Sequence, residues 1–124
     1  AKLLLRVAPN LGVNPGTDSS TIARDTSKIA DYDNDPLVHK LATPRFAAEM
    51  EAVRQFVIAN ADAIQHPFLL LYGDADGLVP PTVSRDIFQS VGSADKKRHE
   101  YAGGYHELFN DFVKEDMLLL PPLR

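Results

Sequence analysis

The run Phe68-Leu69-Leu70-Leu71-Tyr72 is apolar at every position, with none of the alternation that marks a strand with one wet face. Strands of this kind are buried on both sides, as in a parallel sheet covered by helices. The run therefore calls for strand neighbours and two helical layers, and the rest of the chain supplies few of them. A second strand is predicted over Lys97 to Tyr101, where Arg98 and Glu100 place it nearer an edge. Between the two, Pro80-Pro81 opens a helix whose Val83, Ile87 and Val91 form a stripe, with Gly92 closing it. Strand, helix, strand and a further helical segment from Glu107 to Val113 make the order of an α/β sheet. Unpaired edges in so small a sheet invite association. The expectation is that a second chain, or a missing N-terminal half of the same protein, completes it.

Upstream, Thr43-Pro44 is an N-cap followed by proline at the first helical position. Phe46, Met50, Val53, Val57 and Ile64 fall on one face of the helix this predicts, while Glu51, Arg54 and Asp62 lie off it. The end is expected near His66, because a residue before proline is pushed out of helical dihedrals. Residues 1–45 are irregular, punctuated by Pro9, Gly12, Pro15, Gly16, Pro36 and Pro44, with a short helix expected from Thr26 to Tyr32 and a turn or new helix at Asp35-Pro36-Leu37. This suits a lid lying on something else better than an independent core. The division expected is a cap or lid over 1–45 and a core portion over 46–124.

Composition removes several function classes. Lys and Arg total 13 against 17 Asp and Glu, a formal net charge of -4. Phosphate binding depends on clustered cations, so no nucleic-acid partner is expected. The one basic cluster, Lys96-Lys97-Arg98, reads as a solvated turn. Without cysteine there is no disulfide, thiol nucleophile or thiolate zinc site. The apolar runs Phe68 to Leu71 and Met117 to Leu120 fall short of the roughly 20 residues of a membrane helix. The start, Ala1-Lys2-Leu3-Leu4-Leu5-Arg6, has neither signal-peptide length nor an initiator Met, so the chain is expected to begin inside something longer. Cytoplasmic placement is the default expectation, although a lack of cysteine fits any compartment.

The chemistry sits in two turns. Gly73-Asp74-Ala75-Asp76-Gly77 follows the first strand, and Gly103-Gly104-Tyr105-His106-Glu107 follows the second. In open parallel sheets functional groups collect beyond the C-terminal strand ends. If the strands are neighbours, Asp76 and His106 can meet, and a carboxylate on an imidazole fixes its tautomer and stabilises the imidazolium. Gly73 and Gly104 are expected to supply the positive φ of sharp turns. Asp74 competes with Asp76 for the acid. Taken alone, Asp76 reads first as an Asx-turn former and His106 as an ordinary loop histidine. His39, His66 and His99 read as structural or solvated, Glu107 as a helix cap, and Ser84 as a helical serine on no strained elbow. The zinc motif His-Glu-x-x-His is only begun by His106-Glu107, so no metal site is expected.

These residues resemble the C-terminal half of the α/β-hydrolase superfamily, in its monoacylglycerol lipase-like, serine aminopeptidase S33 branch. The resemblance is carried by Leu-Leu-Tyr-Gly-Asp-Ala-Asp-Gly-Leu-Val-Pro-Pro at 70–81, by Ser84, by Gly92-Ser93-Ala94-Asp95-Lys96, and by Tyr-Ala-Gly-Gly-Tyr-His-Glu-Leu-Phe-Asn at 101–110. Arg24-Asp25, Ser27-Lys28-Ile29 and Asn34-Asp35-Pro36-Leu37-Val38-His39 are similar to the cap region of that family. Two departures stand out: Tyr72 occupies a place that is often His, and the terminal helix is short, ending at Leu120-Pro121-Pro122.

The resemblance implies a Ser-His-Asp triad in the order Ser, Asp, His, with Asp76 as acid and His106 as base. No Gly-x-Ser-x-Gly occurs in the 124 residues, so the serine elbow and its oxyanion-hole amides are expected outside them. It further implies a carboxylic ester or lipid substrate (monoacylglycerols, lysophospholipids or small esters), transient contact with a membrane surface, and no cofactor. Two other readings stay open. The chain is a non-catalytic dimerising or complementation partner, or it belongs to a hydrolase with an Asp nucleophile, as in dehalogenase and epoxide hydrolase relatives.

Overall fold

A computed structural model describes residues 2–118, the side chains of 2 and 118 excepted. Helix α1 spans Lys2–Val7, α2 Thr26–Asn34, α3 Pro44–Asn60, strand β1 Phe68–Gly73, α4 Pro81–Ser90, β2 Lys96–Tyr101 and α5 Lys114–Leu118. Single 3-10 turns occupy Ser19–Thr21, Ala61–Ala63 and Leu108–Asn110. The Pro121-Pro122 stop lies outside the described residues.

β1 and β2 pair in parallel, from Phe68 opposite Lys96 to Gly73 opposite Tyr101. The pairing brings both strands to an end side by side, so the two loops that follow leave at one edge. Only these two strands form the sheet among the described residues. β1 is therefore half-buried from Phe68 to Leu71 and buried at Tyr72 and Gly73, although its sequence suits enclosure throughout. The core under the loops is Tyr101, Leu108, Val113 and Met117, with Leu71 packed against it.

Helix α3 starts as expected: the Thr43 hydroxyl accepts from the Phe46 amide and Pro44 is the first helical residue. It ends earlier than His66. Asn60 leaves helical dihedrals at φ -125°, its side chain donates back to the Phe56 carbonyl, and the Ala61 carbonyl is taken by the Gly92 amide. No residue of α3 is buried. Phe46, Met50 and Val53 of the expected stripe, and Phe56 beside it, are each more than half exposed, so the apolar face is largely uncovered by the described residues. An open apolar face of this size marks a surface made for contact. The 124-residue chain by itself is accordingly expected to elute from a sizing column above its 13.7 kDa monomer mass; a compact monomer unfolding in one cooperative step is the contrary result.

Other local expectations need correction. Lys96-Lys97-Arg98 is no solvated turn but the first half of β2. Lys96 Nζ donates to the carbonyls of Phe88, Gln89 and Val91, neutralising the C-terminus of α4. Gly92 is not a left-handed cap: Val91 leaves α4 in an extended conformation. A Cβ at Gly92 would lie 1.9 Å from the Asp62 carbonyl, so glycine is required there by close approach. Residues 107–113 form no continuous helix, because Asp111 is extended (φ -102°, ψ 170°) between the 3-10 turn and α5. In the N-terminal part, α2 forms where expected and runs on to Asn34, followed by a turn in which Asp35 accepts from Leu37 and Val38. α1 was not legible as a helix in the leucine-rich start.

Candidate active site

The two loops lock together through their backbones. The Asp74 amide donates to the Tyr101 carbonyl at 3.1 Å and the Ala75 amide to the Gly104 carbonyl at 3.1 Å. Asp74 Oδ1 accepts from the Gly103 amide at 2.6 Å. Asp74 is thus committed to bridging the loops, which removes it as a competitor for the imidazole. The left-handed residue is Gly103, at φ +67°, not Gly73 or Gly104. Those two serve a different need: a Cβ on Gly73 would sit 1.9 Å from the Gly104 carbonyl oxygen.

Asp76 lies in the loop between β1 and α4. Its Oδ1 accepts from the Leu78 amide at 2.8 Å and the Val79 amide at 2.9 Å, an Asx turn that fixes the carboxylate plane. Its Oδ2 is left facing His106 Nδ1, 2.9 Å away. The structural and the chemical readings of Asp76 are therefore both satisfied, one by each oxygen. The Asp76 side chain is 8% exposed and that of His106 39% exposed, so a sheltered acid backs an open base. The second ring nitrogen, Nε2, is the one that remains for another group.

His106 also borders a groove of about 260 Å³ shared with Leu71, Leu108, Phe109 and Met117. A larger apolar groove of about 600 Å³ between α1 and α3 shares no lining residue with it. Among the described residues, no hydrogen bond joins His39, His66 or His99 to this site, and Ser84 lies within α4. Glu107 does not cap a helix through its side chain; it accepts from Asn110 Nδ2 at 2.7 Å. Tyr72 is buried and donates its hydroxyl to Glu100 at 2.7 Å. Burial, and then that contact, push its hydroxyl above the usual range.

Asp111 is the residue that sequence reasoning missed. Its carboxylate is fully enclosed and meets Arg24 Nε at 2.8 Å and Nη2 at 2.7 Å. It also accepts from the amides of Tyr105 at 3.1 Å and Phe112 at 2.6 Å. Burial raises its pKa, but Arg24 and the two amides outweigh burial and hold it below the usual carboxylate range. The hint in the sequence is Arg24 itself, half of the Arg24-Asp25 dipeptide.

The comparisons with known proteins agree with this architecture. The serine aminopeptidase S33 family matches residues 1–112. The chain is 35% identical over 112 residues to the monoacylglycerol lipase of Mycolicibacterium smegmatis, covering 90% of this chain and 40% of that protein. It is 33% identical over 112 residues to the monoglyceride lipase of Rattus norvegicus, covering 90% of this chain and 37% of that protein. The crystal structure of Paleococcus ferrophilus monoacylglycerol lipase superposes with a TM-score of 0.87 at 32% identity, over 94% of this chain and 46% of that one. The chain thus spans less than half the length of these relatives. It carries the parallel strands and flanking helices of their fold, and it belongs to the serine aminopeptidase S33 family of α/β-hydrolases.

Proposed function

We propose that this chain supplies the acid and base of a carboxylic ester hydrolase, with Asp76 orienting His106 and His106 moving the proton. The observation that carries the reading is the 2.9 Å contact between Asp76 Oδ2 and His106 Nδ1, with the other carboxylate oxygen held by two amides. That anchoring puts the Nδ1 proton toward the carboxylate and leaves Nε2 as the basic lone pair. In the complete protein, Nε2 takes the proton of a serine hydroxyl as its oxygen attacks the ester carbonyl, then gives it to the departing alcohol. The acyl-enzyme is opened by a water that Nε2 deprotonates as it attacks the acyl carbon, and Nε2 returns that proton to the departing serine oxygen as the carboxylic acid is released. No cofactor enters these steps.

The substrate class in this proposal is a monoacylglycerol, a lysophospholipid or a related ester, since the relatives above are named as lipases. In this reading Val79, 37% exposed and bonded through its amide to Asp76, touches the acyl chain. Residues 1–45 serve as part of a lid over it. The direct test is fluorophosphonate labelling of the complete protein. Labelling of one serine N-terminal to this chain, lost in His106→Ala, is expected. A complete protein that hydrolyses no ester and in which no serine takes up the reagent would instead favour the Asp-nucleophile reading.

The open apolar face of α3 favours a second reading, in which the chain docks on a partner or a second copy without doing chemistry itself. Ester hydrolysis by the complete protein that depends on His106 sets that reading aside as the main role.

A further inference from the structure

We propose that Arg24 and Asp111 are positioning residues for His106, forming a clamp that ties the histidine loop to the N-terminal segment. This rests on the proposed role of His106 as base. Both neighbours of His106 are held by the same short stretch of chain. The Tyr105 amide donates to Asp111, whose carboxylate is gripped by the fork of Arg24. The Glu107 amide donates to the Ile22 carbonyl at 2.8 Å. Ile22 and Ala23 are buried, so this stretch is seated and not draped over the surface.

The same stretch reaches further along both loops. A Cβ on Gly103 would lie 3.1 Å from Arg24 Nη1, and one on Gly77, beside Asp76, 3.4 Å from Thr21. The Arg24 guanidinium also lies over the Phe112 ring, 5.5 Å from its centroid. Residues 21–24 thus hydrogen-bond to the base loop and lie beside the acid loop. A planar guanidinium paired through two nitrogens with a carboxylate has a defined orientation, which a lone ammonium lacks. A catalytic base displaced by about 1 Å can lose on the order of 100-fold in rate, so a fixed seat for residues 105 and 107 matters to turnover.

The complete protein is the material for the test. Hydrogen exchange on the wild type comes first: the Tyr105 and Glu107 amides are expected among the slowest of the loop, and exchange as fast as exposed loop amides overturns the clamp. Arg24→Met and Asp111→Asn are each expected to lower kcat on a soluble ester about tenfold or more, with KM within about twofold. Arg24→Lys should recover part of the loss. Arg24→Met/Asp111→Leu leaves no unpaired buried charge and keeps a folded protein to measure if the single variants do not fold; its kcat should fall as far. Val91→Ala, buried in another part of the core, controls for lost stability: its Tm falls while kcat stays within about twofold.

A clamp variant that keeps kcat within about twofold, or that loses kcat only as the Val91 control does at equal Tm, overturns the inference. If His106→Ala retains activity, the proposed function itself fails. If His106→Ala is inactive and the clamp variants are not impaired, the positioning role alone fails.

Discussion

In the complete protein, His106→Ala is expected to lower ester turnover by about 10,000-fold or more, and Asp76→Asn by a comparable factor for a different reason. Alanine at 106 removes the imidazole that takes and returns the proton in the proposed function. Asparagine at 76 preserves the shape. Its Oδ1 keeps the Leu78 and Val79 amides, which are 2.8 and 2.9 Å away in the wild type. That anchoring aims the new NH2 at His106 Nδ1, where the carboxylate oxygen now stands at 2.9 Å. A donor there obliges Nδ1 to accept, so the ring proton moves to Nε2 and the basic lone pair is lost. Asp76→Asn should therefore leave Tm nearly unchanged while kcat collapses with little change in KM. Steady-state kinetics on a soluble ester, with thermal unfolding alongside, checks both. Wild-type turnover in either variant would remove the acid and base roles from these residues.

Much of this arrangement was readable in the sequence because its signals are local. An unbroken apolar run marks β1, a threonine and proline mark the start of α3, and consecutive prolines mark the start of α4. That a carboxylate of the first turn can meet His106 follows from one further rule, that successive parallel strands lie close, while the choice of Asp76 over Asp74 comes from the family resemblance. What could not be read depends on partners far away in the chain. Asp111 lies in a stretch whose pattern suggests a helix, but its carboxylate turns inward to Arg24, 87 residues earlier, and the backbone extends to allow it. The glycines were recognised as necessary for the wrong reason. Turn chemistry suggests positive φ, and a clash between two loops appears only once both are placed. The stripe on α3 was recognised as apolar, and its exposure here reflects what surrounds it, which no local pattern encodes.

The clash between loops carries the second large prediction: Gly73→Ala is expected to destabilise the protein by about 3 kcal/mol or more. Gly73 ends β1 opposite Tyr101, where the acid loop crosses the histidine loop. An added Cβ would stand 1.9 Å from the Gly104 carbonyl oxygen, 2.3 Å from its carbon and 2.8 Å from the Tyr105 oxygen. All three are backbone atoms, so no side chain can swing aside. Relief requires the loops to part, which breaks the Ala75 to Gly104 bond and the Asp74 to Gly103 bond and draws His106 from Asp76. Against a typical total stability of about 5–15 kcal/mol, that loss removes roughly a fifth to three fifths of the whole. Two other glycines calibrate the claim. Gly77→Ala places its Cβ at an ordinary 3.4 Å from Thr21 and should change stability by no more than about 0.5 kcal/mol. Gly16→Ala has open space but a φ of +74°, which costs about 1–2 kcal/mol of backbone strain. Urea midpoints in the complete protein should be highest for Gly77→Ala, lower for Gly16→Ala and lowest for Gly73→Ala. A midpoint for Gly73→Ala at or above that of Gly16→Ala would mean that the two loops do not approach as closely as these distances require.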